Sequence, residues 1–157
     1  MNSKSDNQSV KQWLYSVRTM ERRRRAIIHE VGDLKAERDT VYDTATAFYG
    51  GERVQSNTVA QPTLNKAIAL CDRMDARLDK LLSELELLTL KSDAVRDELN
   101  AIFERGDMKV EEYEALLYYY FEGMSNEEVA EAMFYSVDYV SELKSKAIRR
   151  LGGKAII

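Results

Sequence analysis

Apolar residues return every seven positions from about Ser9 to Tyr49, and nothing else limits the possible folds of the chain so strongly. One set of positions is Val10, Val17, Arg24, Val31, Arg38 and Ala45; the other is Trp13, Met20, Ile27, Leu34, Val41 and Phe48. On an α-helix a seven-residue repeat comes back to nearly the same side, so both sets form one seam that a second helix must cover. The two arginines can lay their stems along that seam while each guanidinium reaches water or an acid. A second repeat begins at Pro62 or Thr63 and runs to about Arg105. Its seam is Leu64, Cys71, Leu78, Leu85, Ser92 and Leu99, alternating with Ala67, Met74, Leu81, Leu88, Val95 and Ile102. Cys71 on this seam reads as a small core residue rather than a nucleophile.

Between the repeats, residues 50–62 carry paired glycines, polar side chains and a closing proline, and read as a loop. A connection of that size lets two long helices fold back antiparallel. A parallel coiled coil between chains, or an ordinary amphipathic helix in a bundle, also fits the pattern. The expected fold is all-α: an N-terminal long antiparallel helical hairpin, coiled-coil-like, followed by a C-terminal helix-turn-helix domain. Because an isolated hairpin buries little, a homo-oligomer, dimer or higher, is expected.

The heptads stop at Gly106-Asp107, which places the domain boundary between residues 1–106 and 107–157. Beyond it three helices can be placed. The first, Glu111 to Glu122, puts Tyr113, Leu116, Leu117, Tyr120 and Phe121 on one side and stops at Gly123. Ser125 is an N-cap candidate, with Glu127 and Glu128 favoured in the first turn and Val129, Ala130 and Met133 facing inward. After a short Phe134-Tyr135 link, Ser136 caps the last helix, whose buried stripe is Val140, Leu143, Ala147 and Leu151. Two short amphipathic helices joined so tightly make a helix-turn-helix.

Charge is distributed unevenly. The chain carries 23 Lys and Arg against 27 Asp and Glu, for a net charge of −4. Residues 1–106 balance, residues 107–136 hold one Lys among eight acids, and residues 137–157 hold five basic residues and two acids. The last helix is thus a small basic island, and local field outweighs total charge in docking on phosphates. So few cations imply weak binding by one chain alone. The N-terminal half of the second helix of such a motif enters the major groove. That makes Asp138, Ser141, Glu142 and Ser145 the base-edge candidates, and a carboxylate there can accept from the cytosine amine. Ser125, Lys144, Lys146, Arg149 and Arg150 are the phosphate candidates.

The string from Tyr120 to Met133, YFEGMSNEEVAEAM, resembles the start of region four of bacterial sigma factors. The continuation through Tyr135, Ser136, Val140, Leu143, Ala147, Ile148 and Leu151 resembles a narrower group. That group comprises small sigma-like regulators of phages and prophages of Gram-positive bacteria, related to the ArpU and RinA late-gene regulators. Trp13-Leu14 and Val54-Gln55-Ser56 are similar to features of its N-terminal region. The resemblance implies a transcriptional regulator that binds promoter or operator double-stranded DNA and acts with the host RNA polymerase. There are departures: Phe134 replaces the glycine common at the turn, and the inward leucine falls at Leu143 rather than one position later. Residues 1–106 also lack the aromatic, basic surface with which a complete sigma factor melts promoters.

Other functions have little support. With one His, His29, and one Cys, no metal-ligand cluster can be assembled, and no nucleophile set or phosphate loop stands out. Neither an enzyme nor a cofactor is expected. No apolar run suits a membrane, and one cysteine suits a reducing compartment, so the host bacterial cytoplasm is expected. Arg22 to Arg25 read as a solvated face pairing with Glu21, Glu30 and Asp33. One or two of Tyr118, Tyr119 and Tyr120 should be core. The acids Glu111, Glu112, Glu114, Glu127, Glu128 and Glu131 read as solubilising charge, or as a surface meeting RNA polymerase. Two other roles fit: a DNA-packaging factor like a small terminase subunit, and a coiled-coil adaptor that binds RNA polymerase without touching DNA.

Overall fold

The computed structural model describes the backbone of residues 3–50 and 57–153. Every regular element among them is helical. Helix α1 is Ser3–Gly50, α2 is Asn57–Glu104, α3 is Val110–Leu116, α4 is Asn126–Met133 and α5 is Val137–Gly152. A π-helical turn, Leu117–Phe121, continues α3. No helix among the described residues is long and apolar enough to cross a membrane.

The all-α expectation holds, and α1 and α2 pair antiparallel within one chain. Every seam position with a described side chain is buried or half-buried, Cys71 among them. Both long helices exceed their expected bounds. Helix α1 starts at Ser3 rather than Ser9, and α2 at Asn57 rather than Pro62 or Thr63. Residues 57–62, read as loop from their composition, are therefore helical, and Pro62 sits in the second turn of α2. That is past the first-turn positions proline favours, so its missing N–H forgoes one intrahelical bond, to the Thr58 carbonyl. The Val54-Gln55-Ser56 part of the resemblance, and Ala45 and Phe48 of the seam, lie outside the described side chains.

The chain forms two compact units, residues 1–24 with 88–157, and residues 25–87. The second is a helical pair around Ile27, Val31, Met74, Leu78 and Leu81. Arg38 behaves as its seam position demands, its Nε reaching Asp75 Oδ1 at 2.6 Å while the stem stays in the seam. Arg77 bridges to Glu30 at 2.7 Å. Such exposed pairs contribute about 0.2–1 kcal/mol each and serve chiefly to hold register.

In the first unit the early turns of α1 and the end of α2 join α3, its π turn and α5 around one core. Val10, Leu14 and Val17 from α1 and Leu99 and Ile102 from α2 pack with Leu116, Tyr120, Phe121, Ala147, Ile148 and Leu151. Sequence marks Gly106 as the end of the heptads, and the backbone agrees: Gly106 adopts φ +80°, and Asp107 N–H donates back to the Ile102 carbonyl at 3.3 Å. That break ends a helix without separating two cores. A buried polar contact also crosses the α1–α2 seam here, the Ser92 hydroxyl donating to the Glu21 carboxylate. Arg24 lies 3.6 Å from the other Glu21 oxygen. A paired carboxylate in an apolar seam penalises any register that would leave it unpaired.

Helix α3 does not run on to Glu122 as a regular α-helix. After Leu116 the hydrogen bonding widens, Glu122 N–H donating to the Leu117 carbonyl at 3.0 Å. Gly123, at φ +73°, then reverses the chain. The extra residue per turn rotates Tyr120 and Phe121 fully into the core while Tyr118 and Tyr119 remain half-buried. It also turns the Tyr119 carbonyl outward, where Arg18 of α1 donates to it at 2.7 Å and to the Met124 carbonyl at 3.0 Å. The Arg18 guanidinium stacks 4.0 Å over the Tyr119 ring. A wide turn needs such an outside donor because its carbonyls lose their usual partners.

Candidate nucleic-acid interface

Local sequence chemistry fixes the two helices of the motif. Ser125 caps α4, its Oγ accepting from the Glu128 N–H at 3.2 Å while the Glu128 carboxylate accepts from the Ser125 N–H at 2.8 Å. This reciprocal box satisfies two backbone donors at once. Ser136 caps α5, its Oγ accepting from the Tyr139 N–H at 3.2 Å. Between them Tyr135 N–H donates to the Ala130 carbonyl at 2.9 Å and closes the turn. Val129, Ala130 and Val140 form the small core where the helices cross, with Tyr118, Tyr119, Met124 and Met133 against it. The expected inward stripe of α5 is buried, and Ile148 joins it.

Phe134, the C-cap of α4, occupies the left-handed region, φ 58° and ψ 39°. Its side chain is 93% exposed and has almost no packing to offset the backbone cost. Left-handed backbone costs a non-glycine residue about 1–2 kcal/mol, and a glycine returns part of that gain through unfolded-chain entropy. Phe134→Gly should therefore stabilise the protein by about 0.5–1 kcal/mol, seen as a higher urea midpoint at constant slope. A lower midpoint would mean that the aromatic ring makes contacts that outweigh the strain.

The outward face of α5 is open. Asp138, Ser141, Glu142, Ser145, Lys146 and Arg149 are all exposed. Lys146 Nζ lies 2.9 Å from Glu142 Oε1 one turn earlier. The lysine's hydrogen bond and charge hold the Glu142 carboxyl below its usual range and raise the lysine in return. Glu142 is thus a fixed acceptor at neutral pH. Arg149 Nε donates to the Ser145 carbonyl at 3.4 Å, with its side chain still in solvent.

The other phosphate candidates serve the fold. Arg150 Nε lies 2.7 Å from Glu112 Oε2, and the Glu112 side chain is only 1% exposed. Glu112 also accepts from the Lys109 N–H at 3.4 Å, so this acid, read from sequence as surface charge, closes the start of α3. Lys144 is half-buried with its Nζ 3.4 Å above the Tyr119 ring. Burial, with Arg18 and Lys11 nearby, pushes its pKa down to about 8. The Ser125 hydroxyl is engaged in its capping box. Of the five phosphate candidates, Lys146 and Arg149 alone lie on the open face.

A neighbour of this face went unnoticed in the sequence. Lys4, Asn7, Gln8 and Lys11 of α1 meet Ser145, Ile148 and Arg149 of α5 across a groove of about 290 Å³. The second turn of α1 comes so close to the end of α5 that a Cβ at Gly152 would collide with the Asn7 side chain. The one available sequence signal was the spacing of Lys4, Lys11 and Arg18, seven residues apart on a single stripe.

No family model, curated protein or solved structure matches the chain.

Proposed function

We propose that the chain is a DNA-binding regulator of transcription, of the phage and prophage sigma-like kind, that docks α5 in the major groove of promoter or operator DNA. The observation that carries this reading is the open face of α5: four short polar or acidic side chains toward its start, cations toward its end, and an apolar stripe behind. Asp138, Ser141, Glu142 and Ser145 are the base-reading side chains, and Lys146 and Arg149 meet the backbone. Glu142, held as a carboxylate, suits the exocyclic amine of cytosine.

The host RNA polymerase is the proposed protein partner. Glu114, Glu127, Glu128 and Glu131 are exposed and form an acidic surface unsuited to DNA. Two copies acting together would compensate for the few cations on each α5. Ile28, Ile68, Leu82 and Leu87, exposed outside the seam of residues 25–87, are apolar side chains that a second copy would cover.

The test is selection of duplexes from a random pool by the purified full-length chain, followed by affinity measurement on the selected site. One preferred sequence should emerge, bound more weakly as salt rises. Arg149→Ala should weaken all sequences alike, whereas Glu142→Ala should relax the preference at one base pair by about 1–3 kcal/mol. Recovery of a pool no different from random would refute the reading.

A further inference from the structure

The geometry points to a second contact with the same duplex: the groove between the first turns of α1 and the end of α5 holds backbone phosphates, with Lys4 and Lys11 as their cations. This inference rests on the DNA-reading role of α5 and extends the footprint to an element that sequence assigns to the hairpin. Lys4, Asn7, Gln8 and Lys11 recur at three-, four- and seven-residue intervals and so share one face of α1. Ser145, Ile148 and Arg149 form the opposite wall, and no carboxylate is among the described residues that line the groove. Its side chains offer an ammonium at each end, a guanidinium, two amides and a hydroxyl, all able to donate to phosphate oxygens. At about 30 Å³ per water, the volume admits a phosphate group with some of its hydration.

Ser145 and Arg149 belong to both the groove and the open face of α5, so a duplex seated on that face passes directly over the groove. The charge balance points the same way. Arg150 is engaged by Glu112 and Lys144 by the Tyr119 ring, leaving α5 with only Lys146 and Arg149 for a polyanion. Helix α1 supplies two at the required edge. Lys11 is also near enough to add to the unfavourable field at Lys144, a crowding of like charges that a bound anion relieves.

The experiment compares full-length protein with a Lys4→Gln/Lys11→Gln variant, titrated by fluorescence anisotropy against a labelled random-sequence duplex pool over a range of salt. Each phosphate contact contributes about 0.9 to the slope of log affinity against log salt, so the variant's slope should shrink by about 1.8. Its selected sequence should remain that of the unaltered protein, and Lys4→Arg/Lys11→Arg should keep the full slope. Both lysines are exposed, so folding should be preserved. Should the glutamine pair melt early, Lys11→Gln alone decides, with an expected loss of about 0.9. An unchanged slope, or a changed sequence preference, overturns the groove while leaving the reading of α5 in place. If the unaltered protein binds no duplex at all, both fall together.

Discussion

Separated from the first 106 residues, the segment 107–157 should fail to melt cooperatively. Sequence marks it as a domain, and its three helices carry their own caps, yet its core is completed from outside. Val10, Leu14, Val17, Leu99 and Ile102 are each at most 3% exposed, and all pack in the cluster that holds Tyr120, Phe121, Ile148 and Leu151. Burying one such side chain is worth about 1.5–3 kcal/mol, so five of them amount to roughly 10 kcal/mol. A domain's whole net stability is about 5–15 kcal/mol. The fragment should therefore show fraying helix by circular dichroism and a broad, sloping thermal profile. In the full chain, Leu14→Ala should cost about 2–5 kcal/mol although it lies more than ninety residues upstream of the motif. A sharp, reversible transition of the isolated fragment would show that α3–α5 suffice for their own core.

Arg150→Ala should be the most damaging change among the basic residues of α5, with a loss of about 2–4 kcal/mol, and Arg149→Ala next to it should cost little. The difference lies in Glu112. Its carboxylate is buried, and Arg150 gives it a 2.7 Å ion pair; without the arginine one N–H at 3.4 Å is its remaining hydrogen-bond donor among the described residues. Removing one partner of a buried pair costs about 3–5 kcal/mol, reduced here because the Arg150 end of the pair is partly solvated. A Glu112→Leu/Arg150→Met double variant should recover most of the loss, since apolar side chains of similar volume replace a buried pair with little penalty. Urea titration at neutral pH measures all three. If Arg150→Ala melted like the unaltered protein, water would have to reach Glu112 more freely than its 1% exposure allows.

Sequence reading succeeded where the physics is one-dimensional. The seven-residue seams, Cys71 and Ser92 included, needed only a helix period. Ser125 and Ser136 needed only local capping chemistry, and each makes the expected bond, while Glu128, expected only as a first-turn acid, closes the box on Ser125. It fell short where a partner distant in sequence decides. Arg149 and Arg150 are neighbours with equal claim to a phosphate, and only the packing of α3 against α5 gives one of them to Glu112. The π turn depends on Arg18, whose guanidinium meets carbonyls a hundred residues away. Pro62 marked a break because proline usually does, yet the helix begins five residues earlier. The groove beside Ser145 and Arg149 was hidden for a different reason. Heptad logic assigns α1 to a hairpin and leaves no reason to look for Lys4 and Lys11 beside α5.

The bonds from Arg18 to Tyr119 and Met124 have a consequence for synthesis. A nascent chain emerging from the ribosome presents Val10, Leu14 and Val17 long before α5 exists to cover them, and closing so long a span precedes any reward from the contacts. Prematurely terminated translation products would therefore display a greasy stripe, inviting chaperones or proteases, and none would complete the core that α5 closes. Only polypeptides translated through α5 would bury that stripe.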